Sequence, residues 1–186
     1  VYIYLGLMTV LLALSLATDK LQNNKNVILA ARQAAELYRD ANIHIIPTKN
    51  MMQGYGALSV ITPGVSDINA LVESVTRTAE EIVGAEITMA VRDVINDGRE
   101  IKKGDYIAIC GSEITAVSSS AEIAVLEHLE SMDMDDYEII TLFVGKNVSD
   151  ERRVKLTELI EDKYDCCELE VYESGNEVYN YMVAVE

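Results

Sequence analysis

From residue 67 onward the apolar residues switch repeatedly between helical and strand spacing, which limits this part of the chain to a sheet with helices packed on it. Ile68, Leu71, Val72, Val75, Ala79, Ile82 and Val83 form a helical stripe behind Ser66, the predicted N-cap, with Asp67 in the first turn and Gly84 as the stop. Three strands are expected next, Glu86–Asp93, Tyr106–Cys110 and Glu113–Val117, with turns at Asn96-Asp97-Gly98 and Gly111-Ser112. Ser119-Ser120-Ala121-Glu122 reads as a capping box opening a further helix. A strand (Glu138–Val144), a helix capped by Ser149 (Asp150–Lys163) and two strands (Glu168–Tyr172, Tyr179–Val185) complete an α+β pattern with an antiparallel or mixed sheet.

The part before residue 67 differs in charge. Residues 1–66 hold five basic and three acidic side chains, a net of +2, so the other 120 residues carry −18 of the total −16. Both prolines, Pro47 and Pro63, also lie there, and Thr62-Pro63-Gly64 marks a turn. A boundary is therefore expected near residue 66. A helix is expected over the apolar spacing Val27, Ala30, Ala31, Ala34, Leu37 and Tyr38, capped by Asn24 or Asn26. Ile43–Ile46 is expected to be a short strand stopped by Pro47, and Met51–Val60 a second helix, giving a βαβ-like subdomain over 21–66 and an α/β class overall. Residues 1–18 carry no charge. Gly6 interrupts them and no basic cluster flanks them, so a buried strand and helix are expected there rather than a membrane span, and segment 1–20 stays unassigned.

Apolar residues at 49% and charged residues at 25% exclude a disordered chain. The net charge of −16 disfavours a nucleic acid or an anionic membrane as partner. Three cysteines make no disulfide framework and suit a reducing, cytoplasmic setting. In a strand, the neighbours Cys166 and Cys167 would point to opposite faces, which argues against a redox or metal pair. His128 is expected on the exposed side of its helix, and His44 as a structural or surface imidazole. No phosphate loop, GxGxxG, HExxH, GxSxG or CxxC pattern is present.

Geometry leaves one candidate rim. Asn23, Asn24, Lys25 and Asn26 precede a helix whose free amides favour an anion, and Thr48 and Lys49, with Gln53 and Gly54 just beyond, follow the next expected strand. Plain helix capping is the alternative reading of the same residues. Arg92 and Asp93, at the end of a strand, form a further candidate that also reads as a local ion pair.

The segments NNKNVILAARQAAEL, IHIIPTKNMMQGYGAL, ITMAVRDVINDGREIKKGDYIAI and YESGNEVYNYMVAVE resemble, in this order, the C-terminal region of the fatty acid kinase large subunit (the dihydroxyacetone-kinase-like, DAK2-domain family). The resemblance implies a DegV-like fold and a non-catalytic domain that docks a fatty-acid-binding DegV-like subunit. It implies no cofactor in this chain, ATP and magnesium being held by an N-terminal domain absent from it, and it leaves a homodimer of the intact protein open. The alternative it carries is a domain that itself binds a fatty acid or another small carboxylate.

Overall fold

The computed structural model describes residues 25–38, 43–62, 65 and 67–186, with the side chains of residues 25–27 left out. The expected apolar start lies outside these residues, as do Asn23, Asn24, Pro63, Gly64 and Ser66. The chain forms two compact units that divide between Ile82 and Val83. The division falls one helix later than the charge shift near residue 66, because the helix after that shift packs within the first unit.

In the first unit, helix α1 spans Lys25–Leu37, α2 Met51–Ser59 and α3 Ile68–Glu81. Asn26 lies inside α1 and so does not cap it, and Leu37 and Tyr38 of the expected buried stripe are exposed. Residues 43–48 run as irregular chain instead of the expected strand. Asp67, not Ser66, caps α3: its carboxylate accepts from the amides of Asn69 (3.0 Å) and Ala70 (3.1 Å). Ile46, Ala57, Val75 and Ala79 form the core, joined by Val60, Ile61, Leu71 and Val72.

The second unit is a six-stranded mixed sheet with two helices on one face. Its strands are β1 Val83–Met89, β4 Tyr106–Cys110, β5 Glu113–Ser118, β6 Ile139–Val144, β7 Glu168–Glu173 and β8 Tyr181–Val185, with a separate hairpin of β2 Val94–Asn96 and β3 Arg99–Ile101. Their order is β5-β4-β1-β8-β6-β7. All neighbours are antiparallel except β6 and β7, which run parallel through the crossover helix α5, Asp150–Lys163. Helix α4, Ala121–Glu130, lies on the same face. Period-two alternation places Ala85 and Ile87, Ile140, Leu142 and Val144, and Tyr181, Val183 and Val185 under the two helices, against Val125, Leu129, Leu156 and Ile160.

The turn chemistry is as expected. Asp97 (φ 47°) and Gly98 (φ 80°) give the left-handed pair that a tight hairpin needs, and Gly111 (φ 63°) turns β4 into β5. Three local expectations differ. Gly84 does not end a helix; it is the second residue of β1, buried and paired with Ala184. β1 closes at Met89, so Arg92 and Asp93 lie in a loop beyond it. His128 is buried, at 2% exposure, because α4 turns it toward the sheet.

Candidate functional site

The described half of the expected rim is the start of α2. Asn50 is its N-cap, accepting from the Gln53 amide at 2.8 Å, while Gln53 Oε1 accepts from the Lys49 amide at 2.9 Å. These bonds occupy the Gln53 amide, one of those a helix start leaves free, and the Lys49 amide just before the cap. Gln53 Nε2 also donates to Ile82 O at 3.4 Å, fixing α2 against the end of α3. The Thr48 amide bonds Ile46 O at 3.0 Å, and Thr48 Oγ1 lies 3.9 Å from where a Cβ on Gly54 would sit. Gln53 and Thr48 are thus engaged in shaping the turn, whereas the Lys49 side chain is exposed. Lys25 and Asn26 open α1, their side chains outside the described set.

Arg92 and Asp93 belong to the second unit and are both exposed. Asp93 uses its carboxylate on the Lys103 amide at 2.7 Å, so it closes the loop beneath the β2–β3 hairpin.

Sequence reasoning missed a polar cluster under α4 and α5. Ser120, not Ser119, caps α4, and its hydroxyl accepts from the Ile123 amide. Glu122 therefore stands one position short of a capping-box acid and turns its carboxylate elsewhere. Glu122 Oε1 accepts from Arg152 Nε at 2.8 Å and from the hydroxyl of the fully buried Tyr181 at 2.8 Å. Burial alone would raise the Glu122 carboxyl. Hydrogen bonds from Arg152, from its own amide and from Tyr181, with the Arg152 charge, outweigh burial and hold it below the usual carboxylate range. Burial, then the bond to Glu122, pushes the Tyr181 phenol up. Only the helix-facing row of β8 brings Tyr181 to Glu122, 59 residues away, so no local pattern announces the cluster.

Glu122→Ala should cost about 2–3 kcal/mol, since it orphans a buried hydroxyl and unpairs Arg152. Adding Tyr181→Phe should cost less than its single-variant effect, leaving a coupling of about 1 kcal/mol in a urea double-mutant cycle. Full additivity would mean that the two side chains do not share the carboxylate.

The first unit also holds an apolar pocket of about 30 Å³ lined by His44, Ile46, Ile61, Ile68, Leu71, Val72 and Val75. Among the described residues, no three His, Cys, Asp or Glu side chains gather so as to hold a metal ion, and no helix is long and apolar enough to cross a membrane.

Taken together, the mixed sheet, its single parallel crossover and its helix-covered face define an α/β protein, and superposition on solved structures shows the fold to be DegV-like. A Streptococcus pneumoniae fatty acid kinase B3 protein loaded with linoleic acid superposes with a TM-score of 0.56 at 14% identity, over 85% of this chain and 64% of that one. A DegV-family fatty-acid-binding protein from Thermus thermophilus gives 0.55 at 10% identity, over 86% of this chain and 66% of that one. The chain itself belongs to the FakA-like C-terminal family of the fatty acid kinases, whose profile matches residues 20–186. Similar relatives are protein YloV of Bacillus subtilis, 32% identical over 166 residues, and the uncharacterized protein SH1689 of Staphylococcus haemolyticus, 34% identical over 166 residues. Each alignment covers 89% of this chain and 30% of the relative, so the chain spans under a third of the curated relatives it matches.

Proposed function

We propose that this chain is the non-catalytic docking domain of a fatty acid kinase. It holds a fatty-acid-carrying, DegV-like partner so that an ATP- and magnesium-binding domain elsewhere in the full-length protein phosphorylates the acyl carboxylate. The observation that carries this reading is the family match over residues 20–186, joined to a fold shared with fatty-acid-binding proteins. Asn50, Gln53 and Asp93 are engaged in caps and loop closure, which leaves the exposed Lys49 side chain as the described part of the rim that can meet a partner. The lysines of the rim, Lys25 and Lys49, favour acidic residues on the partner and the acidic second unit favours basic ones, which makes the association salt-sensitive.

The second reading, an acyl chain bound by this domain itself, draws on the apolar pocket and on the fatty acids bound by the fold neighbours. That pocket, at about 30 Å³, is small for a long acyl chain.

Docking is tested by capture of the cognate fatty-acid-binding protein on the immobilised chain. Wild type should retain it, and a Lys25→Glu, Lys49→Glu double variant should weaken retention about tenfold or more. Unchanged capture by the variant removes the rim from the proposal. Failure of the wild-type chain removes the docking role.

A further inference from the structure

Cys166 and Cys167 do not lie in a strand. Helix α5 ends before Tyr164, and the Cys167 amide bonds Tyr164 O at 3.0 Å, closing a four-residue turn that leads into β7. The strand rule that sends neighbours to opposite faces therefore fails here, and the two sulfurs stand 3.7 Å apart. Cys166 is exposed, whereas Cys167 is half-buried against the sheet core and its thiol donates to Tyr137 O at 3.4 Å. An accessible thiol thus sits beside one held in place.

We infer that Cys166 and Cys167 form a vicinal dithiol site that takes a hydroperoxide and closes reversibly to an internal disulfide. The Cys166 thiolate attacks the distal peroxide oxygen, breaking the O–O bond and releasing water or an alcohol once protonated, which leaves a sulfenic acid on Cys166. The Cys167 sulfur then attacks the sulfenic sulfur, forming the S–S bond and expelling water, with its thiol proton leaving on that water. In sum, two thiols lose two electrons and the peroxide gains them. Cys166 is the sulfur a peroxide can reach and is therefore the attacking one; burial pushes the Cys167 thiol up to about 11, and proximity drives the second step. The product is an eight-membered ring across one peptide bond, a strained disulfide of the readily reduced kind.

Closure to a bond of about 2.05 Å draws the two sulfurs together and removes the thiol proton that Cys167 donates to Tyr137 O. That contact ties the α5–β7 turn to the segment entering β6, where Glu168 N also bonds Glu138 O at 2.8 Å. Cys110 is an internal control. It lies on β4, four strand spacings or about 19 Å from β7, and cannot reach the pair.

The test treats the reduced chain with hydrogen peroxide, blocks remaining thiols with iodoacetamide and weighs the peptides. Expected are loss of about 2 Da from the peptide holding both residues, one alkylated cysteine (Cys110) where the reduced chain has three, and recovery with dithiothreitol. Cys167→Ser should instead accumulate a sulfenic acid that dimedone traps on Cys166. Amide exchange should quicken at Tyr137–Ile139 on oxidation of wild type and not of Cys166→Ser. Two alkylable thiols after treatment, irreversible sulfinic acid on Cys166, or a disulfide between chains would each overturn the inference.

Discussion

Replacing Gly145 by alanine is expected to destabilise the second unit by about 3 kcal/mol or more. Gly145 follows β6, and a Cβ there would lie 2.0 Å from Tyr179 O, 2.9 Å from Asn180 O and 3.1 Å from the Tyr179 carbonyl carbon. These are backbone atoms in a segment held from several sides. The buried Asn176 accepts at Oδ1 from the Val178 and Tyr179 amides, and its carbonyl accepts from the Lys146 amide. The Asn180 amide bonds Ile87 O, and its carbonyl takes the Gly145 amide at 2.8 Å. The loop cannot retreat without surrendering several of these bonds. Gly54→Ala in α2 is the contrasting case: its nearest neighbour would be Thr48 Oγ1 at 3.9 Å, ordinary contact, so it should stabilise by about 0.5–1 kcal/mol through helix propensity. Urea midpoints of the two variants should move in opposite directions; equal shifts would show that the approach of residues 145 and 179 is not tight.

The second large effect is a pH dependence seated at His128. Burial lowers its pKa from the ordinary 6.5 to about 4. Its Nδ1 lies 2.9 Å from Thr115 Oγ1, which lies 3.3 Å from Ala108 O. The Thr115 hydroxyl has one proton, so both contacts are made when it donates to Ala108 O and accepts from Nδ1–H, which fixes the neutral tautomer. Because the folded state resists protonation more than the unfolded state does, this contribution is whole above pH 6.5. It declines as pH falls from 6.5 to 4 and is flat below that. At about 1.4 kcal/mol per pH unit the loss by pH 4.5 is about 2–3 kcal/mol. Urea denaturation of wild type against His128→Leu over that range should show the difference narrowing as pH falls; a constant difference would mean that His128 charges freely in the folded chain.

His128 also shows where sequence reading stops. The strands and turns of the second unit were legible because period-two runs and turn residues are local: Tyr106–Cys110 and Asp150–Lys163 begin and end where the pattern places them. The face a helix turns inward is set by its neighbours. On α4, an imidazole among glutamates reads as part of the wet side, yet the bulge around Thr115 in β5 gives it a partner. The first unit was less legible, since Ile43–Ile46 carries strand composition without a ladder to join. At the candidate rim, a capping residue and an anion-binding residue look alike in sequence, and only the bonds made by the Gln53 and Lys49 amides show which are already taken. The cysteine pair escaped for a related reason: a turn of four residues overrode the alternation that a strand would impose.

The placement of β8 governs how such a chain is made. This strand, at residues 181–185, joins β1 on one side and β6 on the other. A ribosome that has synthesised the chain through residue 173 has therefore produced two pieces of sheet, β1-β4-β5 and β6-β7, with no ladder between them. The staple that unites them comes after every other strand of the sheet, so the nascent sheet waits open, with its apolar faces unsealed, until residue 185 has emerged.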